Sequence, residues 1–386
     1  MQLEVIGVGG AGCRIAAAIL EVDPADHSFV ADVFAFDTDS ACLDEVTSIP
    51  DPYRHRYGET IESGLNGNLQ RGRSVGNEYV EELSRRLDRG RPAVADAFLV
   101  AVGLGGATGG GTIPQLVENL QTLYDAPVYV LATLPAEREL APPSDGGSDA
   151  GNEPTARPMA EENATRTLEE LDGTADAVLC FDNERWLKTA ETMADARDRL
   201  NRELATRVAT FFSATADATE EGEVTAAETI IDANDVGRIF GNETGIATIG
   251  YGKQRIETDS GGSRFGLGLF SAEPSVETSE AVSAIETTIG KALRDRLTLE
   301  CEPENAARAM LVVGGPPAWL NRRAIADGRR TIEEATGSVE ILGGDAPRPE
   351  SDVVFAVVVL AGVDPVERLE AIRSRTTPLD RDRTGR

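Results

Sequence analysis

Apolar residues along the chain fall into short continuous runs that alternate with segments of helical spacing. Residues 3–8 (LEVIGV), 30–37 (VADVFAFD), 97–103 (AFLVAVG), 128–134 (VYVLATL) and 177–181 (AVLCF) read as buried strands. Between them, residues 12–21, 76–89 and PQLVENLQTLY, which opens at Pro114 near a first turn, have helical composition. That alternation predicts an α/β class fold: a Rossmann-like, doubly wound parallel sheet with helices on both faces. Prolines, glycines and acids then interrupt the pattern over 136–162, which reads as a long solvated loop. A long central helix is expected from about Ala190 to Phe212, where Leu200, Leu204, Val208 and Phe211 mark one buried face. An acidic stretch at 215–223 separates it from TIIDANDVGRIFG.

Beyond Gly245 the texture changes. GIATIGYG and FGLGLF read as short strands, 277–298 as a helix, and RAMLVVGG and VVFAVVVLAG as strands flanking a helix near 320–335. The expected division is a nucleotide-binding domain at 1–189, the central helix at 190–214, a linking segment at 215–244, an α+β domain at 245–376 and a polar tail at 377–386. A length of 386 residues agrees with about two domains.

Charge narrows the partners. The chain carries a net charge of −29, and Lys188, Lys253 and Lys291 are its only lysines. So acidic a surface repels nucleic acid and anionic lipid, and it suits a salt-rich cytoplasm that screens charge over ~3 Å at 1 M. No apolar run is long enough to span a membrane, and the first residues read as a buried strand rather than a signal peptide, so no membrane insertion and a cytoplasmic location are expected. Cys13, Cys42, Cys180 and Cys301 form no CxxC pair, and His27 and His55 sit near no nucleophile or ligand cluster. Disulfide frameworks, protein-held metal sites and triad hydrolases are thereby disfavoured.

The chemistry lies in two glycine-rich runs, each between a strand and a helix. Gly7-Val8-Gly9-Gly10-Ala11-Gly12 lets backbone approach phosphate oxygens at a helix N-terminus. Alone it fits the GxGxxG dinucleotide fingerprint, with Asp37 at the end of the second strand where a ribose-binding acid sits, and an NAD-dependent oxidoreductase stays open. The second run, Gly103 to Thr112 (GLGGATGGGT), weighs against it, because two such turns can enclose one polyphosphate, with Thr108 adding a hydroxyl. No Walker A sequence occurs. Asp232 and Asp235 have the spacing of a helix cap, and equally of acids able to orient an attacking water.

GGATGGG at 105–111 resembles the tubulin signature GGGTG[ST]G, and GVGGAG resembles the first phosphate loop of FtsZ. With FDNERWLKTAE at 181–191, the stretch at 314–338 and the late AVVVLAGV strand, the resemblance extends over nearly the whole chain and is nearest the archaeal CetZ group of tubulin-like proteins. It implies a GTPase domain, a central helix and a smaller activation domain. Gly9, Gly10, Ala11, Gly12, Cys13 and Arg14 would form the first phosphate loop, and Gly105, Gly106, Ala107, Thr108, Gly109, Gly110 and Gly111 the second. Gly72–Asn77 resembles the loop that senses the γ-phosphate. Glu137 and Asn163 resemble the ribose-contacting acid and an amide near the base, with Arg166 close by, while Asn183 and Asn201 would bond the guanine edge. Asp232 and Asp235 would be the catalytic acids, meeting the nucleotide of the next subunit.

Four features depart from the family pattern: Ala107 for glycine, Gly110 for a hydroxyl residue, Asp37 for asparagine, and an acidic insertion at 136–155. The tail shows no FtsZ-type docking peptide, which argues against recruitment to a division ring by that route. The resemblance implies a protein that binds GTP or GDP with Mg²⁺ carried on the phosphates, hydrolyses GTP and polymerises head to tail in the control of cell shape. Self-association is the expected partnership. A non-hydrolysing regulator that co-assembles with a paralogue is the alternative suggested by Ala107 and Gly110.

Overall fold

The computed structural model describes residues 1–61, 64–140, 156–215, 231–241, 245–256, 278–294, 296–337 and 340–376. The expected FGLGLF strand, the acidic stretch after Thr215, the 141–155 part of the insertion and the polar tail lie outside the described residues.

The first half runs β1 (Leu3–Val8), α1 (Gly9–Val22), β2 (Val30–Asp37), α2 (Ser40–Glu45), β3 (Arg54–Arg56), α3 (Leu69–Leu87), β4 (Ala97–Gly103), α4 (Ala107–Leu123), β5 (Val128–Leu134), α5 (Ala160–Leu171), β6 (Ala177–Asp182) and α6 (Asn183–Trp186). The central helix is α7 (Met193–Ser213), followed by α8 (Ala233–Phe240). The second half contributes β7 (Gly245–Arg255), α9 (Thr278–Arg294), β8 (Ala306–Gly315), α10 (Arg322–Thr336), β9 (Ile341–Pro347), β10 (Val353–Val363) and α11 (Glu367–Arg375).

Among the described residues one ten-stranded sheet, ordered β3-β2-β1-β4-β5-β6-β7-β10-β8-β9, passes through both halves. Strands β1 to β6 pair in parallel, and β7 joins β6 in parallel before β10 pairs antiparallel with β7 and β8. The step in sequence texture near Gly245 therefore falls inside a continuous sheet.

The strands read as unbroken apolar runs because both faces are covered. In β4, Phe98, Val100 and Val102 pack into a core with α3 and α4, while Ala97, Leu99 and Ala101 face the core beneath α1 and α7. Leu200, Leu204, Val208 and Phe211 all lie in that second core, as their spacing predicts. Glu4 is the exception within β1, buried with neither carboxylate oxygen hydrogen-bonded to any described residue.

Helix boundaries differ from expectation at the glycine runs. Gly9–Gly12 and Ala107–Gly111 are themselves the first turns of α1 and α4. Glycine disfavours helix, yet here tertiary packing overrides propensity, because a Cβ at Gly9 or Gly109 would run into the facing backbone.

Candidate functional site

Strands β1 and β4 are neighbours, so α1 and α4 begin side by side at the same edge of the sheet. Gly9 takes a left-handed φ of 73°, and a Cβ there would stand 2.8 Å from the Gly109 nitrogen. A Cβ on Gly109 would stand 2.7 Å from the Val8 carbonyl oxygen, so the two turns meet backbone to backbone. Neither helix start is capped by a side chain, whereas α2, α3, α7, α8 and α10 each are. Two sets of free N–H groups and two positive dipole ends thus converge on one place, the arrangement that binds phosphate.

They open into a cleft of about 930 Å³, within the usual range for a small-molecule site. Gly9, Gly10, Ala11 and Arg14 line it from α1, and Gly105, Gly106, Ala107, Thr108 and Gly109 from the α4 turn. Thr108 and Thr38 share a hydroxyl contact of 3.2 Å. Asn183 at the start of α6 and Asn201 on α7 line the far end. Four arginines, Arg14, Arg138, Arg157 and Arg197, line the cleft together with four acids, Asp37, Asp39, Glu139 and Glu191.

Several expected residues sit elsewhere. Gly12, Cys13, Gly110 and Gly111 are packed beneath the cleft rather than lining it. A Cβ on Gly110 would stand 2.7 Å from Thr167 Oγ1 on α5, so a hydroxyl side chain at this position would face α5 and not the phosphate site. Gly72–Asn77 is no loop: it lies inside α3 where that helix crosses α4, and a Cβ on Gly72 would stand 2.0 Å from the Ala107 carbonyl oxygen. The segment that borders the cleft there is Gly64–Gly67, whose Gly-Leu-Asn-Gly sequence was the available turn signal.

Glu137 also does not line the cleft, because its carboxylate pairs with Arg375 at 2.8 Å and Arg368 at 3.4 Å. Glu139, two residues on, lines it instead; it accepts from the Ala136 N–H at 2.8 Å and lies 3.5 Å from Arg157. Arg166 turns away to pair with Glu162 one turn earlier on α5. Asn163 does line the cleft, but its Nδ2 donates to Gly67 O at 3.0 Å and Gly105 O at 3.2 Å, tying two loops at the phosphate end rather than standing near Asn183 and Asn201. Asp232 and Asp235 form a reciprocal cap on α8: the Asp235 N–H donates to Asp232 at 2.9 Å and the Asp232 N–H to Asp235 at 3.3 Å. Neither lines this chain's own cleft.

Arg368 of α11 holds the cleft wall together from the far end of the sequence. It donates to Pro135 O at 2.8 Å and pairs with Glu137, Glu161 and Asp182, each at 3.4 Å. Burial raises the Asp182 carboxyl and Arg368 opposes that shift. At the phosphate end Asp37 is 2% exposed, and its Oδ1 accepts from the Asp39 N–H at 3.1 Å while Oδ2 has no hydrogen-bond partner among the described residues. Burial pushes its carboxyl up to about 6.

An α/β sheet carrying two glycine-rich helix starts over one cleft, with a central helix at its far end, defines a nucleotide-binding protein of the tubulin/FtsZ class. Residues 2–143 match the family model described as Tubulin/FtsZ family, GTPase domain, and residues 190–377 that described as Tubulin-like CetZ, C-terminal domain. Tubulin-like protein CetZ5 of Haloferax volcanii is 34% identical over an alignment covering 100% of this chain and 94% of that protein. The solved structure of CetZ1 from Haloferax volcanii, a GDP-bound monomer, has a TM-score of 0.79 at 30% identity, covering 97% of this chain and 98% of its own. CetZ2 from the same organism, a GTPγS-bound protofilament, has a TM-score of 0.78 at 28% identity, with 97% of each chain covered. The chain belongs to the CetZ family of tubulin-like proteins.

Proposed function

We propose that this protein binds GTP and GDP in the cleft, polymerises head to tail, and hydrolyses GTP where one subunit's α8 meets the next subunit's cleft. The observation that carries the reading is the pair of uncapped helix starts at Gly9 and Ala107, brought together by the Gly9–Gly109 approach. Their free N–H groups receive the phosphates, and the Thr108 hydroxyl and Arg14 add donors from either side. Asn183 and Asn201 offer amides to the guanine edge. Mg²⁺, held through the nucleotide phosphates, would supply charge neutralisation there. Asp232 and Asp235 orient the attacking water from the neighbouring subunit, a role compatible with their capping of α8. Such a contact between unlike surfaces does not close, so it yields filaments.

GDP and GTPγS in the structures of CetZ1 and CetZ2, and the protofilament formed by CetZ2, support this reading. The oxidoreductase reading loses its ground because both glycine runs border one cleft. By kinship we place the filament in the cytoplasm, in the control of cell shape, with co-assembly alongside a paralogue as a further arrangement. The test is GTPase activity in molar KCl against protein concentration, with sedimentation in parallel. Specific activity should rise with concentration as polymer forms. Constant specific activity, or GTP binding without polymer at any concentration, refutes the shared site.

A further inference from the structure

Asp37 ends β2 behind the first turn of α1. A Cβ on Gly10, which lines the cleft, would lie 3.5 Å from Asp37 Oδ2, 3.4 Å from Arg14 Nη1 and 3.0 Å from Cys42 Sγ. The carboxylate is thus one glycine's thickness from whatever the start of α1 receives. Its Oδ2 is enclosed, with no hydrogen-bond partner among the described residues, and no described cation stands in ion-pair contact with it. Arg14 turns Nη1 to Glu45 of α2 at 3.4 Å. Arg56, opposite Asp37 on β3, donates to the Thr38 and Ile61 carbonyls. Asp39 adds a second negative charge two residues on. Burial keeps the Cys13 and Cys42 thiols and the Tyr57 phenol protonated, so they offer no opposing charge. His55, across from Phe36, pairs with Glu82 at 2.7 Å and does not line the cleft.

We propose that Asp37 takes up a proton as the phosphates bind, so that nucleotide and proton enter the cleft together. This rests on the guanine-nucleotide reading above. The phosphates bring negative charge to the other side of Gly10 and occupy the free N–H groups of α1, the positive pole that otherwise faces the carboxylate. Like charges so close, in a place that excludes water, favour the neutral form of the acid. Burial already brings the Asp37 carboxyl up to about 6 without ligand, and the phosphates push in the same direction. The liganded protein then holds the proton to higher pH than the free protein does. Affinity therefore falls as pH rises above about 6 and levels off where the liganded form also ionises. Proton concentration becomes an input to nucleotide occupancy, through one side chain at the floor of the site.

The test is equilibrium titration with ribose-labelled fluorescent GDP in molar KCl between about pH 5 and pH 8, using the whole chain and its D37N and D37S variants, each checked for native helicity. A nucleotide phosphate itself titrates near about 6, but that effect is common to all three proteins and cancels in their ratio. The wild-type dissociation constant divided by that of D37N should stay level below about pH 6 and rise above it, by as much as about 10-fold per pH unit, the slope of one proton. D37S, which lacks both charge and amide, should follow D37N. Calorimetry at neutral pH in buffers of different ionisation enthalpy should show the wild type taking up more protons on binding than either variant. The proposal is overturned if the ratio is constant or falls with pH, if D37S follows the wild type, or if proton uptake is equal in all three. Failure of the wild type to bind GDP at any pH would overturn the guanine-nucleotide reading itself, a different result from a wild type that binds while the ratio stays constant.

Discussion

Asp37 occupies a place where a charge is costly, and the cost can be measured. The residue ends β2 at the floor of the cleft, 2% exposed, with no hydrogen-bond partner for Oδ2 among the described residues. Burial raises its carboxyl from 3.8 to about 6; the N–H groups of Asp39 and Thr38 and the Arg14 guanidinium pull it down, and the Asp39 charge pushes it up. A native pKa above the unfolded one means that the fold prefers the protonated form. Stability is therefore lost as pH rises from about 4 to about 6, and the full loss persists above. Two pH units correspond to about 3 kcal/mol. In Asp37→Asn the amide oxygen can still accept from the Asp39 N–H, while the buried charge is gone. Urea unfolding of the nucleotide-free protein in fixed molar KCl, followed by circular dichroism from pH 4 to 8, should show the two proteins converging at pH 4. The variant should lead by about 3 kcal/mol at and above pH 7. A difference that does not change with pH, or a variant less stable at pH 7, refutes the argument.

Glu4 follows the same logic in the core: burial, then the nearby Asp32 charge, raise its carboxyl to about 8. Glu4→Gln should gain on wild type by about 1.4 kcal/mol per pH unit between roughly 4.5 and 8 and hold that lead above, in the same unfolding series. Asp235→Ala removes the acceptor for the Asp232 N–H at 3.3 Å but leaves Asp232 as the helix cap, so it should cost only about 0.5 kcal/mol. In that variant GTP turnover should vanish while labelled GDP binds as before, and loss of binding would place Asp235 in the wrong role. Arg368→Ala leaves Asp182 and Glu161, each 6% exposed, without the guanidinium between them. It should cost about 3 kcal/mol in unfolding stability and also weaken GDP, because Pro135 and Glu139 line the cleft.

What was legible in the sequence is what depends on near neighbours along the chain. Continuous apolar runs gave the parallel strands, helical spacing gave the buried face of α7, and the two glycine runs gave the helix starts that face the cleft. The same local signal misled where glycine has two uses. Gly72, which the family resemblance placed in a phosphate-sensing loop, is instead a contact point where α3 crosses α4. Glu4 was hidden inside an apolar run, where its neighbours outweighed it in any pattern.

The cleft wall was not legible, because its parts are assembled across the chain. Arg368 meets Asp182 at a separation of 186 residues and Pro135 at 233. No periodicity joins these positions; only the order of strands in the sheet brings α11 over the ends of β5 and β6. That long-range contact also decides between two glutamates that the sequence could not separate. Glu137 and Glu139 lie two residues apart in one short helical turn, and whichever is taken by the arginines of α11 is lost to the cleft. Arg368 and Arg375 take Glu137, so Glu139 is left to line the site. The residue facing the nucleotide site is thus selected by charges near the other end of the chain.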